Sequence, residues 1–114
     1  MKLLDPVRRQ ALVERFRPEE LPRLSEFLAA YLHEEWSLNH ASPAAAAYDF
    51  LVDADIDDVE ELAADWEILA TLARELPLDE INRLLAERFG GRWTATSRGE
   101  IEAVRRELER ALAE

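Results

Sequence analysis

Between residues 59 and 73 apolar side chains return every three or four positions: Val59, Leu62, Ala63, Trp66, Leu69, Ala70 and Ala73. An α-helix, at 3.6 residues per turn, gathers that spacing on one face. A stripe of that width must be covered by other elements, so the chain has to supply helices of matching character. The predicted helix starts near Asp55 to Asp57, runs to about residue 76 and is stopped by Pro77.

The rest of the chain repeats the period, and its punctuation marks the helix ends. Asp5-Pro6 and Ser42-Pro43 each set a capping side chain before a proline at the first helical position. The first pair opens a short helix to about residue 16, with a poor stripe of Val7, Ala11, Leu12 and Phe16. The segment RPEELP follows, and a second helix is predicted over residues 22–36, with Leu24, Phe27, Leu28, Tyr31, Leu32 and Trp36 in one arc. Ser42-Pro43 leads into a third, AAAAYDFLV. Beyond Pro77, residues 79–89 place Ile81, Leu84, Leu85 and Phe89 inward and stop at Gly90. Ser97-Arg98-Gly99-Glu100 has the spacing of a capping box. It opens a last helix with Ile101, Val104, Leu108, Ala111 and Leu112 on one side and Glu102 and Arg106 paired outside.

With three glycines in 114 residues and no strand-like alternation, the expected fold is all-α. It is a compact single-domain bundle of about five or six short helices spanning residues 1–114, residues 1–20 being a lead-in. No apolar run resembles a signal peptide or a membrane span, so a soluble cytoplasmic protein, monomeric when free, is expected.

Charge restricts the partner. The net value is −11, and residues 19–67 hold fourteen acidic groups against one basic, Arg23. Such a field repels nucleic acid and anionic membrane and draws in a basic protein.

The chemistry-bearing residues form no familiar catalytic set. Cysteine is absent, which excludes disulfides, thiolate nucleophiles and cysteine-ligated zinc. His33-Glu34 lacks the second histidine four positions on that a zinc-protease helix requires. The run DADIDDVEE has aspartates at alternate positions, as a calcium loop does. Its sixth position is Asp58 rather than glycine, and its twelfth is Ala64 rather than glutamate. Two histidines and four serines, two of them helix caps, nominate no nucleophile, base and orienting group. No enzyme, metal or cofactor is expected.

The stretch FLAAYLHEEW, residues 27–36, holds one oddity. On the helical count His33 points outward, Glu34 sits at the edge of the apolar stripe, and Glu35 falls near its centre. A carboxylate there needs donors. Glu35 is expected to tether the helix end, accepting from a neighbouring helix N-terminus or from Arg88 or Arg92, with Trp36 as a core anchor.

YLHEEW at 31–36, Ser42-Pro43, and Asp-Phe-Leu at 49–51 together resemble the immunity proteins of bacterial contact-dependent growth inhibition systems. The resemblance covers residues 24–112 and rests on Tyr31, Glu35, Trp36 and Phe50 as structural positions. It implies a small helical cytoplasmic protein that binds and neutralises the C-terminal domain of a cognate toxin. The acidic field makes a nuclease, with its basic cleft, the expected toxin. An acidic helical adaptor that recruits a basic partner is the other reading. For the binding face, Asp58, Glu61 and Asp65 are expected on the outer side of the helix beginning near residue 55. Asp53, Asp55 and Asp57 lie just before them, and Ile68 and Leu72 continue the strip as an apolar patch.

Overall fold

The computed structural model describes residues 5–33, 36–90 and 93–113, with the backbone alone at Trp36. Its helices are α1 (Pro6–Arg15), α2 (Pro22–Tyr31), α3 (Trp36–Asn39), α4 (Pro43–Asp53), α5 (Ile56–Glu75), α6 (Leu78–Phe89) and α7 (Arg98–Ala113). No strand occurs among the described residues, and the fold is all-α as expected. The predicted helices are present, and α3 is a further single turn.

The local capping signals act as written. Asp5 accepts the Arg8 N–H at 2.8 Å and Ser42 accepts the Ala45 N–H at 3.1 Å, satisfying donors that a helix start leaves open. Gly90 closes α6 in the left-handed region, at φ 89°, where a side chain would be strained. The capping box before α7 is displaced by one residue: the Glu100 carboxylate accepts from the N–H of Thr96, not Ser97. The expected Glu102–Arg106 pair is also replaced, because Glu102 turns to Arg74 on α5, 3.0 Å away.

Helix α5 is the axis of the molecule, touching α1, α2, α6 and α7. Helix α7 lies antiparallel to it. Near one end the Arg98 guanidinium donates to the carbonyls of Ala73 and Leu76, at 2.7 and 3.0 Å. Midway, the buried Trp66 indole N–H donates to the Ile101 carbonyl at 3.0 Å. Val59, Leu62, Trp66, Leu69, Ala70 and Ala73 are all buried, so the stripe read from the sequence is the interior. Burying each of the larger of these side chains is worth about 1.5–3 kcal/mol.

Helix α2 does not reach residue 36. It ends at Tyr31, and Leu32 leaves helical geometry at φ −119°, ψ 39° while its N–H still bonds the Leu28 carbonyl. YLHEEW contains no helix breaker, so the end is set by packing. Helix α4 must return over α2, where Phe50 stands edge-on to Phe27 and to Tyr31, each at 5.8 Å. Glu35, Arg92 and the side chain of Trp36 lie outside the described residues. The expected tether of Glu35 to Arg88 or Arg92 therefore also lies outside the described residues; Arg88 caps the end of α1, donating to the carbonyls of Val13 and Phe16. No side chain of helix α1 is fully buried, and Leu12 and Val13 pack partly buried against the core. The helix is also held through Arg88 and by Phe16, which packs on Phe89 with ring centroids 4.9 Å apart.

Candidate functional site

The acidic tract divides into parts with different work. Asp58 and Glu61 face α2, contrary to expectation: Arg23 pairs with Asp58 at 3.1 Å and with Glu61 at 2.5 Å, and also holds Glu26 at 2.9 Å. The hydrogen bonds that Arg23 donates to Glu61 and then to Glu26 make it hold its proton more tightly than a free arginine does. One turn on, the half-buried Asp65 accepts the N–H of Leu24 at 3.0 Å. Leu21, the residue at the start of α2, offers no capping side chain, and Asp65 supplies that function from another helix. Burial pushes the Asp65 carboxyl above its ordinary 3.8, the bond from Leu24 opposing without reversing the effect.

The outer apolar patch is likewise overturned. Leu72 is fully buried, and Ile68 is partly buried against the core. The helical period marks one covered face of α5, but α1 and α2 as well as α7 pack on it. Glu67 is also engaged, by Arg105 at 2.7 Å.

Asp53, Asp55 and Asp57 are different. All three are exposed, and among the described residues none forms an ion pair. They stand at the corner where α4 passes into α5. Helix α4 turns Ala46 and Ala47 into the core, and α7 packs against it. Tyr48 and Val52, four residues apart on another side, therefore point to solvent. Ala54 and Asp55 are extended, and Ile56 follows beside them. Exposures of 61% for Tyr48, 66% for Val52 and 56% for Ile56 leave three large apolar groups in water. With Leu51 and Val59 they line a groove of about 450 Å³ whose far wall is Glu107, Arg110 and Ala111 of α7. Sequence reasoning missed this trio. The signal was present as an apolar i, i+4 pair on α4 in addition to its buried alanines.

A second hollow, of about 280 Å³, opens beyond the same corner. Phe27, Tyr31 and Phe50 line it together with Glu26, Asp53, Asp58 and Arg23. The motif residues Tyr31 and Phe50 are thus half-exposed wall, whereas Phe27 is interior. His40 packs on Tyr31, with centroids 6.1 Å apart, and its Nδ1 is 2.9 Å from an Asp49 oxygen, at an angle that makes no hydrogen bond.

Among the described residues, no three histidine or carboxylate groups are placed to hold a metal ion, and no helix is long and apolar enough to cross a membrane. The α4–α5 corner sets exposed apolar side chains in the middle, carboxylates that form no ion pair among the described residues beside them, and helices beneath, a composition that interfaces share. No protein-family model, curated protein or solved structure matches this chain.

Proposed function

We propose that this protein is a non-enzymatic immunity protein that binds a basic toxin domain in the cytoplasm, a nuclease, and blocks it by stoichiometric occlusion. The observation that carries the reading is the coincidence of exposed Tyr48, Val52 and Ile56 with Asp53, Asp55 and Asp57, which form no ion pair among the described residues. The resemblance of YLHEEW, Ser42-Pro43 and Asp-Phe-Leu to such proteins points the same way.

The physics suits the task. Residues 24–73 contain no lysine or arginine, and the two arginines that border the corner, Arg23 and Arg110, are each held by carboxylates, so the corner presents net negative charge to a basic cleft. Complementary fields raise capture rates toward the order of 10⁸ M⁻¹s⁻¹ at low salt. The apolar trio then sets the lifetime of the complex, because desolvated anchors govern dissociation.

The test is coexpression with toxin domains encoded beside this gene, scored by growth. Rescue by the wild-type chain, lost in Val52→Asp with Ile56→Asp, is the expected result. Failure to rescue growth against every neighbouring toxin removes the immunity reading. Binding of a basic protein without inhibition would identify an adaptor.

A further inference from the structure

Resting on that reading, we propose that the hollow between α2 and the α4–α5 corner receives a lysine or arginine side chain of the bound partner. Its walls combine the two groups that recognise an organic cation. Tyr31 and Phe50 stand at 90° with centroids 5.8 Å apart, Tyr31 has one face stacked on Phe27 at 5.5 Å, and both Tyr31 and Phe50 are partly open to solvent. The electron-rich face of an aromatic ring attracts a cation within about 6 Å. Glu26, Asp53 and Asp58 supply carboxylates against the single guanidinium of Arg23, so the lining carries a net −2.

The charges are not equally available. Arg23 already engages Glu26 and Asp58, whereas Asp53 meets no cation among the described residues. An incoming ammonium or guanidinium group would complete Asp53 while its methylene stem lies along Tyr31 and Phe50, as amphipathic cationic side chains do. An anion is repelled by the lining. A bare metal ion lacks a ligand cage, no three histidine or carboxylate groups being suitably placed among the described residues.

Position selects a side chain of the partner over a free small molecule. Ala54 lines both this hollow and the apolar groove. A protein segment draped over the corner can seat an apolar residue on Tyr48 and Val52 and a basic residue beside Tyr31 within one contact.

The pocket is testable without any toxin. The full ¹⁵N-labelled chain is titrated by NMR with N-acetyl-lysine amide and N-acetyl-arginine amide, and with N-acetyl-norleucine amide as a neutral control. Saturable shifts centred on Tyr31, Phe50 and Asp53, with millimolar affinity and for the cationic probes only, are expected. Asp53→Asn should weaken them at least about three-fold, the scale of one exposed ion pair. A spectrum as well dispersed as that of the wild type confirms that this variant folds. Equal response to norleucine, or no saturable shift at these residues, overturns the pocket and leaves the groove reading intact. In the complex, Asp53→Asn should shorten the lifetime; an unchanged lifetime also overturns the assignment. Cation-selective shifts in a protein that rescues growth against no toxin would retain the pocket and remove the immunity reading.

Discussion

The carboxylate of Asp65, in α5, accepts the backbone N–H of Leu24, in α2, at 3.0 Å. A helix that lacks a capping residue of its own is therefore capped from 41 positions away. Because the same half-buried group faces Arg23 and Glu61, one side chain fixes where α2 starts and where it crosses α5.

Removing that acceptor should cost about 1–2 kcal/mol, the usual loss for a helix cap. Urea unfolding of Asp65→Ala is expected to show this cost. Asp65→Asn keeps an acceptor oxygen and should retain most of the stability. Equal loss in both variants would mean that charge, and not the cap, is what matters.

The pH dependence follows from burial, which raises the Asp65 carboxyl above its ordinary 3.8. Below 3.8 the group is protonated in folded and unfolded chains alike. As pH rises above 3.8 the unfolded chain releases its proton first, so the contribution of Asp65 to stability falls until the folded pKa is passed. The stability of the wild type relative to Asp65→Asn should therefore decline as pH rises through that window. A carboxyl NMR titration with its midpoint at or below 3.8 would contradict the sign.

Trp66 joins α5 to α7 through the bond from its indole to the Ile101 carbonyl and stacks with Trp93 at 6.0 Å. Trp66→Phe removes this second bond to a carbonyl that already accepts a helical N–H within α7, and opens a small void. An expected cost of about 1–3 kcal/mol combines the lost tertiary hydrogen bond with the lost packing. Thermal or denaturant unfolding reads it directly.

Reversing Asp58, Glu61 and Asp65 to lysine would be a poor probe of partner binding. These residues embrace Arg23 and cap α2, so the reversal should destabilise the fold before it reports on any surface. The exposed Val52 and Ile56 are the informative sites. Aspartate at either should change stability by no more than about 0.5 kcal/mol while toxin binding measured by calorimetry falls sharply. Undiminished affinity would place the interface elsewhere.

Arg88 holds the carbonyl end of α1, of whose side chains only Leu12 and Val13 pack on the core, and those only in part. In Arg88→Ala the first helix should open locally while the remaining bundle stays folded. Hydrogen exchange at residues 6–15 should accelerate selectively. Uniform acceleration across the chain would show instead that α1 unfolds with the core.

Much of this was written in local sequence. Asp5 and Ser42 cap helices through donors three residues away, and Gly90 adopts the backbone that glycine alone takes without cost. Such interactions need no distant partner, so spacing reveals them. Asp65 and Leu72 were misread because a helical period shows which residues share a face, not how many faces are covered.

The sequence by itself therefore determined the all-helical class and most helix starts, the stripe of α5 that becomes interior, and the concentration of negative charge between Arg23 and Arg74. Only the tertiary structure decided which of those carboxylates are consumed. Packing on more than one side of α5 turned Asp58, Glu61 and Asp65 inward to α2, and left Asp53, Asp55 and Asp57 beside Tyr48, Val52 and Ile56 with no ion pair among the described residues. The reason is that a charge is neutralised by whatever stands within a few ångströms of it, and those neighbours come from helices remote along the chain.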